Sequence, residues 1–198
     1  NMNHNNTMTR FYGIMSLILC LLLVEGRWST LYAQGANTWE QKADCGGFAR
    51  SAAVGFSIGS KGYIGTGSGA SYAKTKDFWE YDPTANTWTQ KADFGGSARY
   101  AAVGFSIGSK GYIGTGAGAS SALTKDFWEY DPTANTWTQK ADFGGSARFG
   151  AVGFSMDNKG YIGTGSDANG YTKDFWEYNP TANSWTQKAD FGGSARYV

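Results

Sequence analysis

Hydrophobic and polar positions along this chain fall into one pattern, written three times. Ala101 to Ile107 is a run of small and apolar residues without charge, the composition of a strand covered on both faces. Gly108-Ser109-Lys110-Gly111 follows, with glycine where a tight turn needs positive φ, and Tyr112 to Thr115 returns as a second strand of the same hairpin. After a loop, Asp126 to Asp131 alternates, with Phe127 and Glu129 on one face and Trp128 and Tyr130 on the other. Asp131-Pro132-Thr133-Ala134-Asn135 is turn chemistry, Pro fixing φ and Asn tolerating the left-handed region. Thr136 to Lys140 then sets Trp137 against Thr136, Thr138 and Lys140. Polarity rises from the first of these strands, a, to the fourth, d. The gradient predicts strand a at a crowded centre and strand d towards solvent.

An arginine stands just before strand a in every copy, at 50, 99, 148 and 196, which divides the chain into units of about 50–92, 99–141 and 148–189. Self-similarity at this period signals a stacked or radial architecture. The 29 glycines, set among aromatic and β-branched residues, suit many short strands and tight turns, and helical patterning is almost absent. With 41% hydrophobic and 16% aromatic residues the chain can build a core. The predicted fold class is all-β.

Within each unit a tyrosine is followed seven positions later by a tryptophan: Tyr81 and Trp88, Tyr130 and Trp137, Tyr178 and Trp185. With glycines ending the second strand and the arginine before strand a, the sequence from Asn37 to Val198 resembles the kelch-repeat family. The paired Gly-Gly of that family is replaced in every copy by Gly-Thr-Gly, at 65–67, 114–116 and 163–165. The resemblance implies a β-propeller of four-stranded blades, which closes at about four to eight blades. Three blades are complete in the sequence. Asn37 to Lys42, NTWEQK, reads as a strand d that would complete a last blade. The expectation is a ring of about five to seven blades, built from a longer chain or, as the lesser alternative, from two associating chains.

The first 33 residues read differently. A basic start at Arg10, the apolar run Ile14 to Val24 and a small residue at Ala33 predict a secretory signal cleaved before Gln34, with 34–198 as the propeller segment. Eleven apolar residues reach only about 16 Å as a helix, roughly half a hydrocarbon core. The expected location is secreted, periplasmic or cell-surface, with no membrane span after cleavage. Cys20 lies in that leader, so Cys45 has no partner, and its position, held by Phe94, Phe143 and Phe191 in later units, reads as a small apolar substitute in a packed slot.

The candidate chemistry is sparse. His4 is the only histidine and lies in the leader, so 34–198 holds no imidazole for a nucleophile pair or a typical zinc or copper site. The copper ligands of galactose oxidase, whose propeller is kelch-type, find no counterpart. Asp77, Glu80 and Asp82 recur as Asp126, Glu129 and Asp131, which reads as scaffold. No helix follows the glycine-rich segments, so they are turns rather than phosphate loops. The net charge is +1 with both signs interleaved, and no basic stripe offers itself to nucleic acid.

Alternating strands bring the b–c and d–a loops to one side, and loops on a rigid scaffold are where binding resides. The predicted ligand contacts are Arg50, Arg99 and Arg148 with Ser97 and Ser146 in the d–a loops, and Tyr72, Asp167 and Tyr171 in the b–c loops, where Lys74, Leu123 and Asn169 also break the repeat. By resemblance, arginines and serines at this mouth would grip acidic groups. Pairing of each arginine with a neighbouring acid is the competing assignment. The expected function is a secreted or cell-surface module that binds a protein or glycan, without cofactor, metal or enzymatic activity. The alternative is a metal-independent carbohydrate-active enzyme such as the kelch-type sialic acid mutarotases, with Asp167 as the one acid that breaks the repeat.

Overall fold

The computed structural model describes residues 38–198. The predicted leader, 1–33, lies outside the described residues. Residues 42–198 form one compact unit. It holds three four-stranded antiparallel sheets, here called blades. Blade 1 is β1 (Val54–Ile58), β2 (Lys61–Gly65), β3 (Phe78–Asp82) and β4 (Thr87–Lys91). Blade 2 is β5 (Val103–Ile107), β6 (Lys110–Gly114), β7 (Phe127–Asp131) and β8 (Thr136–Lys140). Blade 3 is β9 (Val152–Met156), β10 (Lys159–Gly163), β13 (Phe175–Asn179) and β14 (Ser184–Lys188), with the two-residue strands β11 (Ser166–Asp167) and β12 (Gly170–Tyr171) in its b–c loop. The strands pair in sequence order within each blade.

The turns follow their chemistry. Gly59 and Gly108 take φ of +57° and +56° in the first two a–b hairpins, while Asp157 and Asn158 take +49° and +60° in the third, the conformation Asn and Asp tolerate. In the c–d turns Asn86, Asn135 and Asn183 are left-handed. The Asn135 side-chain oxygen accepts from the Tyr130 hydroxyl and from the Ala92 N–H, each at 2.9 Å, and Trp137 donates its indole N–H to the Ala92 carbonyl at 3.1 Å. One turn residue thereby staples each blade to the chain leaving the blade before it.

Strand register divides each sheet into two faces. In blade 2 the front face carries Val103, Phe105, Ile107, Tyr112 and Phe127, and the back face carries Gly104, Gly111, Ile113, Trp128, Tyr130 and Trp137. The front of one blade packs on the back of the next. Phe78 of blade 1 meets Tyr130 and Trp137 of blade 2 with ring centroids 4.9 and 5.0 Å apart, and Phe127 repeats this against Tyr178 and Trp185 at 4.8 and 5.0 Å. The approach requires glycine on the back face: a methyl on Gly160 would stand 2.5 Å from the Phe105 ring, and one on Gly153 would stand 2.1 Å from Val103 Cγ1.

Strand β1 packs beside β5, and β5 beside β9, so the a strands are innermost and the polarity gradient holds. The architecture is a propeller in which each joint between consecutive blades has its own apolar core, one between blades 1 and 2 and one between blades 2 and 3. The stretch 38–42, predicted as a strand d, carries no strand. A strand d needs a strand c beside it, and β3, β7 and β13 are already paired with β4, β8 and β14.

The middle residue of each Gly-Thr-Gly motif is left-handed, at φ +56° for Thr66, +59° for Thr115 and +60° for Thr164. All three are buried, and their hydroxyls have no hydrogen-bond partner. A β-branched residue in this region is strained and a buried orphan hydroxyl adds a desolvation cost.

Candidate binding site

The b–c and d–a loops are bound to each other by backbone hydrogen bonds. Gly67 N–H donates to the Arg99 carbonyl at 2.7 Å, and Gly116 N–H to that of Arg148 at the same distance, each pair joining one blade's b–c loop to the segment that enters the next. Both loop sets therefore share one side of the blades. Two residues beyond each arginine the backbones link across blades, Ala101 N–H to the Ala52 carbonyl and Gly150 N–H to that of Ala101, each at 2.9 Å.

The arginines lie beneath this surface. Arg99 is 1% exposed. Its Nη1 donates to Asp126 Oδ1 at 2.6 Å and to the Thr115 carbonyl and Thr124 hydroxyl at 2.9 Å. Its Nη2 donates to Asp126 Oδ2 at 2.8 Å and to Ser97 Oγ at 3.1 Å, and its Nε to the Ser97 carbonyl at 3.0 Å. The guanidinium also covers the Phe94 ring at 4.9 Å. Arg148 repeats the set with Asp174, Thr164, Thr172 and Ser146, and Arg50 pairs with Asp77 at both nitrogens.

These contacts govern the carboxylates. At Asp126 and Asp174 burial alone would raise the carboxyl, but hydrogen bonds from the arginine and from the indole of Trp128 or Trp176 outweigh it and hold the group below its ordinary range. Asp77 is lowered chiefly by the hydrogen bond from Arg50. Each arginine thus makes the pairing with an acid that was the competing assignment. The donors of Arg99 and Arg148 are consumed by the scaffold, while Arg50 is half-buried and lines an open crevice. Ser97 is occupied with Arg99.

The remaining predicted residues divide. Tyr72 is 85% exposed at φ +60° and, among the described residues, joins no aromatic pair. Asp167 accepts from the Ser146 hydroxyl at 2.6 Å and from the Asn169 N–H at 2.8 Å, contacts that hold its carboxyl below the usual range. It therefore caps the small β11–β12 hairpin and ties it to the neighbouring d–a loop. Leu123 bridges Ala117 as part of the loop backbone. Tyr171 is exposed and stacks on Tyr197, centroids 5.0 Å apart.

That stack is the end of a row. Tyr197 lies 5.8 Å from Phe149, and Phe149 lies 6.3 Å from Tyr100. At the far end the Lys74 ammonium stands 4.0 Å above the Tyr100 ring and reaches Ser68 Oγ at 3.3 Å. Tyr100, Phe149 and Tyr197 each follow the recurring arginine directly, so three consecutive d–a crossings place one ring apiece on the same side. They stand just outside strand a, which the pattern places at Ala101 to Ile107 in the second unit, and they recur with the scaffold, so nothing local marks them as a site. The available signal was an aromatic at the same place in three copies, with Ser51 in the first. Four aromatic faces with a cation at one end form a stacking surface rather than a pocket. Among the described residues, no group of three or more His, Cys, Asp or Glu side chains is placed to hold a metal.

No protein-family model and no curated protein matches the chain. Among solved structures, that of YjhT matches with a TM-score of 0.64 at 20% sequence identity, over 75% of this chain and 54% of that chain. At this identity the likeness is one of fold, and it agrees with the propeller of four-stranded blades described above. The chain spans about half the length of YjhT.

Proposed function

We propose that this chain is a binding module of kelch-like construction, acting outside the cytoplasm, whose loop face takes a glycan through the row Tyr100, Phe149, Tyr197 and Tyr171. The observation that carries this reading is the continuity of the row across three d–a crossings. Set side by side and tilted to one another by 26° to 58°, the rings offer apolar surface to the C–H faces of successive sugar units, and the hydroxyls of Tyr100, Tyr197 and Tyr171 supply hydrogen-bonding groups. Lys74 at one end suits a carboxylate on the ligand, so acidic sugars are favoured over neutral ones. A peptide ligand is the second member of the same class and would lay apolar side chains on the rings.

The opposing reading is carbohydrate-active, a mutarotase acting without metal. Its candidate acid, Asp167, is committed to Ser146 and to the hairpin turn, and Arg99 and Arg148, which would polarise a sugar ring oxygen, are enclosed. These placements favour binding. The test is a glycan array of neutral and acidic oligosaccharides, run on the parent chain and on Phe149→Ala and Tyr197→Ala. Binding that falls about tenfold or more in both variants supports the reading, taking as a guide the stacking of a nucleic-acid base on one aromatic, worth about 1–3 kcal/mol. Absence of glycan binding, or binding indifferent to both substitutions, sinks it. Following anomer exchange of N-acetylneuraminic acid by proton NMR decides the opposing reading, which requires faster exchange that Asp167→Ala removes.

A further inference from the structure

Each blade carries a short ladder on its loop side, in which residues of three chain segments stand opposite one another. In blade 1 Ser51 pairs with Ser68, and Ser68 with Lys74. In blade 2 the ladder is Tyr100, Ala117 and Leu123, and in blade 3 it is Phe149, Ser166 and Tyr171. The first two members of each exchange a pair of backbone hydrogen bonds of 2.9 to 3.1 Å. Opposed residues of an antiparallel ladder share a face. The third member then lies against the ring that begins the next crossing: Lys74 Nζ stands 4.0 Å above Tyr100, and Tyr171 stacks on Tyr197 at 5.0 Å. Leu123 holds the corresponding place in the blade between.

The scaffold fixes the backbone at this third position and leaves its side chain free to differ. Thr75, Thr124 and Thr172 follow it, and each threonine hydroxyl accepts from the arginine of its own blade. Their N–H groups donate to the carbonyls of Gly67, Gly116 and Gly165 at 2.9 to 3.0 Å. On that constant frame the preceding residue is lysine, leucine and tyrosine in turn. A side chain that changes on a backbone that does not is placed for recognition.

Lys74 gives the position a sign. Framework lysines are paired with acids, as Lys110 is with Asp131 and Lys140 with Glu129. Lys74 reaches the Ser68 hydroxyl oxygen at 3.3 Å and the Tyr100 ring, and among the described residues no acid pairs with it. Ser68 accepts there and keeps its own proton to donate, so the ammonium and the hydroxyl together suit one oxyanion. Blade 2 has Ala117 and Leu123 at these two places, and blade 3 has Ser166 and Tyr171, neither pair with a charge.

We propose, on the basis of the glycan reading, that residues 74, 123 and 171 are the specificity-determining positions of the face and that they fix the direction in which an acidic oligosaccharide lies. Its carboxylate sits at Lys74 and Ser68, and its uncharged units lie over Leu123 with Phe149 and over Tyr171 with Tyr197. The carboxylate is worth about tenfold in affinity over its uncharged ester, the scale of one hydrogen bond to a charged group.

Calorimetric titration with lactose capped at its non-reducing end by glucuronic acid, and with the methyl ester of the same trisaccharide, tests this. The parent is expected to bind the acid about tenfold more tightly than the ester. Lys74→Leu installs the residue that blade 2 carries at the same ladder place, so the fold tolerates it, and it should weaken the acid to the level of the ester while leaving the ester unchanged. Lys74→Arg should keep the preference. A nitroxide on the reducing end should broaden the amide signals of Tyr171 and Tyr197 and spare those of Ser68 and Lys74. Equal binding of acid and ester by the parent, a preference that survives Lys74→Leu, or broadening at Ser68 and Lys74 overturns the proposal while the glycan reading stands, because the trisaccharide still binds. Binding of neither form takes down the glycan reading and this inference with it.

Discussion

Arg99 grips Asp126 with both terminal nitrogens, at 2.6 and 2.8 Å, and the arginine side chain is 1% exposed while the carboxylate retains 23%. The bond spans the blade from the chain entering strand a to the start of strand c, and it recurs at Arg50 with Asp77 and at Arg148 with Asp174. Arg99→Ala leaves the carboxylate facing an emptied space, and breaking a buried pair costs roughly 3–5 kcal/mol. Because Asp126 keeps some water, a loss of about 3 kcal/mol is expected in urea unfolding. Arg99→Lys should recover only part of this, since an ammonium cannot reproduce the two-pronged contact. Recovery of the full parent stability by lysine would contradict the assignment.

The same acids set the response to acid. Asp77, Asp126 and Asp174 are all depressed in the folded chain. Their contribution is present above the unfolded carboxyl value of about 3.9 and is lost as pH falls through the lower folded values. Urea midpoints should therefore hold steady from neutral pH to about 5 and drop steeply below about 4. In Asp126→Asn the drop should be shallower. An equal slope in that variant would place the acid sensitivity elsewhere.

At high pH the tyrosines act in the opposite sense. Burial, then the nearby Glu80 charge, pushes Tyr130 up to about 12, and burial with Glu129 does the same to Tyr178. The neutral phenol is the form the folded chain favours, so this stability is present below the ordinary tyrosine value of about 10 and lost as pH climbs towards the folded one. Near-ultraviolet titration of the parent minus Tyr130→Phe should yield a component with its midpoint near 12. A midpoint near 10 would mean that the hydroxyl is in water.

Thr115 offers a stabilising substitution. Its left-handed backbone costs an ordinary residue roughly 1–2 kcal/mol, and an orphan buried hydroxyl roughly 1–3. Against this stand about 0.5–1 kcal/mol for the extra freedom of glycine when unfolded and about 0.8 for the buried methyl. Thr115→Gly is expected to raise stability by about 1 kcal/mol, read as a higher thermal midpoint. A lower midpoint would show that the hydroxyl is satisfied by a bound water.

Much of this architecture is legible in the residues because each local signal agrees with the others. Gly108-Ser109 and Asp157-Asn158 mark the hairpins, the alternation of Phe127, Trp128, Glu129 and Tyr130 gives the two faces, and the Tyr130–Trp137 spacing is the register pair of β7 and β8. What escaped was long-range. The pairing of Arg99 with an acid was open to the sequence, but which acid was not, since Asp126 lies 27 residues on and the Phe94 ring beneath the guanidinium belongs to another segment. The aromatic row escaped for the same reason, since Tyr100, Phe149 and Tyr197 lie about one repeat apart and meet only when the blades are stacked. NTWEQK, 37–42, has the composition of strand d; its described residues, 38–42, carry no strand because, among the described residues, every strand c is already paired.

The claim on which the functional account turns is that the ligand meets the face where the chain crosses from blade to blade. Amide chemical-shift mapping, with N-acetylneuraminic acid and N-acetyllactosamine as the added sugars, addresses it residue by residue. The account predicts shifts gathered at 72–75, 99–101, 148–150, 167–172 and 196–198. Shifts centred instead on the opposite turns, around Asn86, Asn135 and Asn183, would contradict it.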